Sequence, residues 1–274
     1  MPFLTLSRLH RPRALVSRAM VASILLLTAT FSQAEAPLTG KDIIEKAKQN
    51  ASGFQDTTHK VRMVLVDEKG GKSEREMLLK GLVEKDGTSH SLSIFTAPQR
   101  EKGIALLTDT KPGEADQQWL YLPSTKRLKR ITGANRTSSF RGSEFTFEDL
   151  SDQNSSQYRF DLINQEACGS QTCFVIDRFP STGLETSYSK TRLWIDTEHY
   201  RPIKADFYDQ SGKLLKTMEA FDYSLFDNKF WKPAKVVMTN KTNGKATEML
   251  SLELKMNTGL QPSEFTELAI RSWR

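Results

Sequence analysis

The sequence predicts a mainly β (α+β) fold, a large antiparallel sheet accompanied by two or three short helices. Three observations carry this. Short runs of alternating apolar and polar residues recur from residue 58 almost to the C-terminus, the period of a half-buried strand. Turn residues separate these runs roughly every eight to twelve positions. Helical periodicity is confined to one stretch near the start and one at the end. The 274 residues suffice for one large β-rich domain or two small ones. No internal repeat, low-complexity tract or linker divides the chain.

Thr39 to Ala51 reads as a helix. Thr39 and Asp42 form a capping box with Asp in place of the usual Glu or Gln, Ile43, Ile44, Ala47 and Ala51 share a face, and Gly53 ends it. Strands follow at Thr58–Val66 and Glu74–Val83, separated by the Asp67-Glu68-Lys69-Gly70-Gly71 turn, then at Thr88–Phe95 and Ile104–Thr108. Trp119 and Tyr121 alternate with Leu120 and Leu122 in the next strand, which Pro123-Ser124 breaks. Arg127–Ile131 resumes. After a long polar interval come Tyr158–Glu166, Phe174–Phe179, Ser187–Ile195, Pro202–Tyr208 and Leu214–Tyr223. Phe230–Thr239 and Ala246–Asn257 turn at Asn243-Gly244, the strongest hairpin signal. Pro262-Ser263 opens a last short helix with Phe265, Leu268 and Ala269 inward. About ten or eleven strands in consecutive antiparallel pairing result. A sheet this large curls, splits into a sandwich or closes, and a curled one with helices on its concave side leaves a cavity.

Residues 1–34 read as a secretory signal peptide. Arg8, Arg11, Arg13 and Arg18 form a basic start, Ala19–Phe31 is apolar, and Ser32-Gln33-Ala34 supplies small residues before a cut. The apolar run is too short to span a bilayer, and no cysteine adjoins the cut to carry a lipid. The chain has 39 basic and 33 acidic residues, net +6. The leader takes four arginines and no acid, leaving 35 − 33 = +2, so the basicity is mostly leader and a nucleic-acid partner loses its support. Cys168 and Cys173 flank a short turn in the exported part. A disulfide stapling a hairpin is the expectation; a redox pair would call for Cys-x-x-Cys spacing, which is missing.

Catalytic motifs are not found. His59, His90 and His199 stand far apart in no metal-ligand spacing. There is no Gly-x-Ser-x-Gly elbow and no phosphate or dinucleotide loop. Pairs such as Glu144 with Glu148, or Asp206 with Asp209, arise in any chain this acidic. No enzyme activity, metal or cofactor is expected.

The informative stretch is Gln117 to Leu150. After the two strands, Thr132–Ser139 is polar and aperiodic. Aromatics then return beside carboxylates in Phe140-Arg141-Gly142-Ser143-Glu144-Phe145-Thr146-Phe147-Glu148-Asp149-Leu150. A loop flanked by aromatics on both sides suits a lid over an apolar cavity, and equally an ordinary long hairpin loop. Lys126, Arg127, Lys129 and Arg130 are either charges guarding a strand edge or a basic rim at a cavity mouth.

The runs Trp119-Leu-Tyr-Leu-Pro, Lys-Arg-Leu-Lys-Arg-Ile and Ser-Phe-Arg-Gly-Ser-Glu-Phe-Thr-Phe-Glu-Asp-Leu resemble the bacterial outer-membrane lipoprotein-sorting proteins, relatives of the periplasmic carrier LolA. The resemblance covers roughly Leu38 to the C-terminus. It implies a strongly curved antiparallel sheet, an open barrel with short helices over its concave face, in a single domain, residues 35–274. It implies a periplasmic, non-enzymatic carrier of lipid or lipoprotein acyl chains, loaded by an inner-membrane transporter and unloaded to an outer-membrane acceptor. Trp119, Tyr121, Phe140, Phe145, Phe147 and Leu150 are the expected cavity or lid residues. Two other classes stay open: an accessory protein of an efflux-type (RND) inner-membrane transporter, and an exported lipid or envelope hydrolase.

Overall fold

The computed structural model describes residues 37–151 and 154–273; the leader expected at 1–34 lies outside them. The chain opens with helix α1, Gly40–Ala51. Asp42 N donates to Thr39 Oγ1 and Thr39 N to Asp42 Oδ2, the capping box read from the sequence. Ile43 and Ile44 are buried on Phe174, Ile176 and Ile195, with Ala47 beside them, while Ala51 is exposed. A Cβ at Gly40 would stand 3.0 Å from the Leu162 nitrogen and the Phe160 carbonyl oxygen, so the close approach of α1 to β7 favours glycine there.

Among the described residues thirteen strands then form one open antiparallel sheet. In chain order they are β1 Asp56–Val66, β2 Lys72–Val83, β3 Ser89–Ala97, β4 Ala105–Thr110, β5 Gln117–Leu122, β6 Arg127–Ile131, β7 Tyr158–Cys168, β8 Gln171–Pro180, β9 Lys190–Asp196, β10 Pro202–Tyr208, β11 Leu214–Phe226, β12 Phe230–Asn240 and β13 Ala246–Met256. The total exceeds the expected ten or eleven because every run named from the sequence, the short β4, β5 and β6 included, pairs as a strand. Every hairpin joins sequence neighbours. Among the described residues the one long-range strand pairing is β1 with β13, from Thr57↔Met256 to Val66↔Ala246. It fuses two meanders, β1–β6 and β7–β13, and puts β6 and β7 at opposite edges.

That order dictates the path of the interval between β6 and β7. Twelve strand spacings of about 4.8 Å would separate the edges by roughly 58 Å if the sheet were flat. The 26 residues 132–157 reach roughly 85 Å when extended, enough to return across one face. The contacts show that residues 132–151 of this interval lie on one face. Phe140 and Phe147 pack with Val61, Met63, Met77, Phe95, Leu106 and Leu120, and Phe145 packs with Tyr188, Ala205, Phe207 and Met238 from the other meander. We call this the inner face; α1 covers its far end. The polar stretch opens as a short 3-10 helix, Gly133–Thr137.

The C-terminal segment covers the opposite, outer face. A 3-10 turn, Pro262–Phe265, leads into α2, Glu267–Ser272. Phe265 and Ile270 are buried against Leu82, Leu92, Ile94, Ala105, Leu107 and Tyr121. Leu268, expected inward, is exposed. The 3-10 turn ends at Thr266, whose hydroxyl caps a new α-helix by accepting from Ala269 N, and the change of pitch brings Ile270 inward instead.

Candidate functional site

Strand parity places the expected site residues on two faces. Side chains alternate along a strand, so in β5 Gln118 and Leu120 face inward while Trp119 and Tyr121 face outward beneath α2. Arg130 lies over the Trp119 ring and Arg271 over the Tyr121 ring. Phe140, Phe145, Phe147 and Leu150 are on the inner face, the three rings buried and Phe140 fully so. Phe140 stacks on Phe95 with centroids 5.6 Å apart and meets Phe147 edge-on. Leu150 bridges the two inner clusters. Lys126, Arg127, Lys129 and Arg130 are exposed on edge strand β6 and the turn before it.

The polar residues of the Gly142–Leu150 run fasten it to the sheet. Arg141 and Gly142 take left-handed backbone, φ 54° and 77°, in a tight loop closed by Phe140 N donating to Phe145 O. Towards the first meander, Arg75 donates to the Arg141 carbonyl and Gln118 to that of Phe147. Towards the second, Glu144 N donates to Thr247 Oγ1 and Asn240 Nδ2 to Glu144 Oε2. Asp149 accepts from Thr146 N, Tyr188 OH and Lys216 Nζ, the last at 2.5 Å with both partners 4 % exposed. Burial, with the Asp149 charge beside it, pushes the Tyr188 hydroxyl far above its ordinary pKa, so Tyr188 acts as a donor. Ser187 Oγ donates to Glu148. Glu144 and Glu148, imaginable as an acid–base pair, are thus spent as anchors.

Phe145 lines a small inner-face opening of about 180 Å³ with Leu193, Ala205, Phe207, Met218 and Met238; a larger open part of that face lies elsewhere. A cavity of about 410 Å³ sits over β12, β13, β1, β2 and β3, within the roughly 300–1,000 Å³ of ligand pockets. The register explains it. In one row across the sheet Val61 aligns with Met77 and Met77 with Phe95, three large side chains under Phe140. Two rows away Thr57 aligns with Gly81 and Gly81 with Ser91; between them His59 aligns with Leu79 and Leu79 with Ser93. Small side chains there leave space, and a Cβ on Gly81 would reach only Thr57 Oγ1, at 3.0 Å. Val61, Leu79, Val236, Met249 and Leu254 supply apolar walls. Val61, Leu79 and Met249 also pack around Phe140 and Phe147, so the crossing segment backs the cavity. None of the six expected cavity residues lines it. The readable signal was the run of small inward residues, Gly81, Ser91 and Ser93, in strands whose other inward positions are bulky.

The polar residues lining this cavity are Thr57, His59, Lys80, Ser91, Ser93, Lys232 and Ser251. His59 Nε2 and Ser251 Oγ share a 2.8 Å hydrogen bond. Burial, and then the nearby charge of Lys232, holds His59 below its ordinary pKa. Lys232 stands at the end beside Phe54, its ammonium 4.8 Å from that ring's centroid and 3.5 Å from the Ala51 carbonyl, and burial lowers its pKa too. No carboxylate lines the cavity among the described residues.

The hairpin expected at the cysteines is present. Cys168 and Cys173 form a disulfide across the turn between β7 and β8. Among the described residues no group of three or more His, Cys, Asp or Glu could hold a metal ion, and no helix is long and apolar enough to cross a membrane.

The open antiparallel sheet is a LolA-like fold, and solved structures share it. A family model described as "Uncharacterized protein" matches residues 87–272. The chain is similar to a crystal structure from Vibrio parahaemolyticus described as an outer membrane lipoprotein-sorting protein domain, at 36% identity over 85% of this chain and 98% of that one, TM-score 0.80. It shares its fold with a DUF1329 family protein from Desulfovibrio piger, at 23% identity over 85% and 99% and TM-score 0.78. A LolA superfamily protein from Nitrosomonas europaea also shares the fold, at 20% identity over 84% and 98% and TM-score 0.66. The curated proteins give no match. The chain belongs to the outer membrane lipoprotein-sorting protein family.

Proposed function

We propose that this protein is a periplasmic carrier, not an enzyme, that shelters an acyl chain of a lipid or lipoprotein in the inner-face cavity. The observation that carries the reading is the cavity itself, about 410 Å³ with apolar walls and no lining carboxylate, in a member of a family described by lipoprotein sorting. Each buried CH₂ contributes about 0.8 kcal/mol, so binding needs no specific chemistry along the chain. Residues 1–34 serve as a cleaved signal peptide and 35–274 as the carrier domain. An inner-membrane transporter loads it and an outer-membrane acceptor receives the cargo. Phe140 and Phe147 pack behind the wall residues Val61, Leu79 and Met249 and hold them in place, and Trp119 and Tyr121 serve as packing under α2.

The test is uptake of a fluorescent fatty acid by delipidated protein. Ser93→Phe, which fills the cavity from β3, should abolish stoichiometric uptake while the protein still melts cooperatively. Uptake unchanged in Ser93→Phe would move the ligand elsewhere. No uptake by the wild type would favour the transporter-accessory reading.

A further inference from the structure

The cavity is apolar along its walls but not neutral at its end. The basic cluster on β6 does not reach it, since β4 and β5 separate β6 from β3. Lys80 contributes to the lining, but its ammonium is bound to Glu264 at 2.6 Å, under the outer-face C-terminal segment. Lys232 is different. Its side chain belongs to the lining, and its contacts are a carbonyl oxygen and an aromatic face, neither of which neutralises a charge. Hydroxyls of Thr57, Ser91, Ser93 and Ser251 provide further hydrogen-bonding groups in the same space. A cation beside apolar walls, with no carboxylate among the lining residues, is the electrostatic complement of an amphiphile with a negative head.

Resting on the carrier reading above, we infer that the ligand is a single acyl chain ending in one anionic head group, a carboxylate or a phosphate, that pairs with Lys232. The modest volume suits one chain, and the position of Lys232 beside Phe54 sets the direction in which the chain lies, head towards the α1–β1 junction and tail towards Val61 and Met249. The charge of Lys232 makes the site selective for acidic amphiphiles over neutral ones of equal length, because a charge-assisted hydrogen bond adds to a burial term both share.

The experiment titrates delipidated protein with pyrene-labelled hexadecanoate and with the corresponding pyrene-labelled alcohol. The wild type should bind the acid at least tenfold more tightly than the alcohol. Lys232→Met should bring the acid to the alcohol's affinity and leave the alcohol unmoved, and Lys232→Arg should keep the preference. Competition by lysophosphatidic acid separates the head groups: displacement more effective than by hexadecanoate assigns a phosphate, less effective a carboxylate, and in Lys232→Met both competitors weaken. Equal binding of acid and alcohol by the wild type, or parallel loss of both in Lys232→Met, overturns the inference and leaves the carrier reading standing. Failure of both probes to bind the wild type overturns the carrier reading, and this inference with it.

Discussion

The Lys216–Asp149 pair is the strongest polar link between the crossing segment and the second meander, and Lys216→Met measures it. Both side chains are 4 % exposed, so the loss is that of a buried pair, not of a surface one. Removing one partner of such a pair costs about 3–5 kcal/mol, chiefly because the other charge is left buried. Asp149 would keep Thr146 N, Thr146 Oγ1 and Tyr188 OH as donors, which places the cost near the low end, about 3 kcal/mol. In a domain of this size each kcal/mol moves the melting temperature by about 2–4 °C, so Lys216→Met should melt roughly 6–12 °C early. Adding Asp149→Asn removes the orphaned charge and keeps an acceptor oxygen. The double variant should then be at least about 1 kcal/mol more stable than the sum of the single losses. Urea unfolding of all four proteins, with midpoint and slope compared, gives the cycle. A Lys216→Met loss below about 0.5 kcal/mol, the scale of an exposed ion pair, or a double variant showing no coupling, would refute the anchoring.

Three further outcomes are expected. Phe145→Asp places an unpaired charge among Tyr188, Ala205, Phe207 and Met238, so it should melt early or fail to fold; cooperative melting at the wild-type temperature would show that Phe145 is not core. His90 donates from both ring nitrogens to carboxylates, Asp109 and Glu84, each at 2.7 Å, which only an imidazolium can do. Burial opposes its charge, yet these bonds outweigh it and raise its pKa above 6.5. Its contribution is therefore complete below about pH 6.5 and lost as pH rises through the folded-state value, so the stability gap between wild type and His90→Gln should shrink from pH 6 to pH 8; a constant gap contradicts the pairing. Replacing Cys168 and Cys173 together by Ser should cost about 2 kcal/mol, given the short loop, read as a melting point several degrees lower with fatty-acid uptake retained; two alkylatable thiols in the oxidised wild type would disprove the bridge.

Much of the fold was legible because its determinants are local. The Thr39–Asp42 cap, the Asn243-Gly244 turn, the Cys168–Cys173 hairpin and the position of nearly every strand follow from turn chemistry and period-two alternation within a few residues. Alternation even separates Trp119 and Tyr121 from Leu120, but it cannot say which face an element elsewhere in the chain will cover. That was decided by the pairing of β1 with β13, some two hundred positions apart, which sends β6 and β7 to opposite edges and draws residues 132–151 across the sheet. Aromatics that read as a possible lid became the core beneath that crossing, because a segment lying on an apolar face buries its rings there. The cavity arose the same way: Gly81, Ser91, Ser93, His59 and Lys232 become neighbours only through strand register. The sequence by itself determined the strands, turns and caps; tertiary pairing alone decided which small side chains aligned to leave a hole and which cation stands beside it, since a void belongs to no single strand.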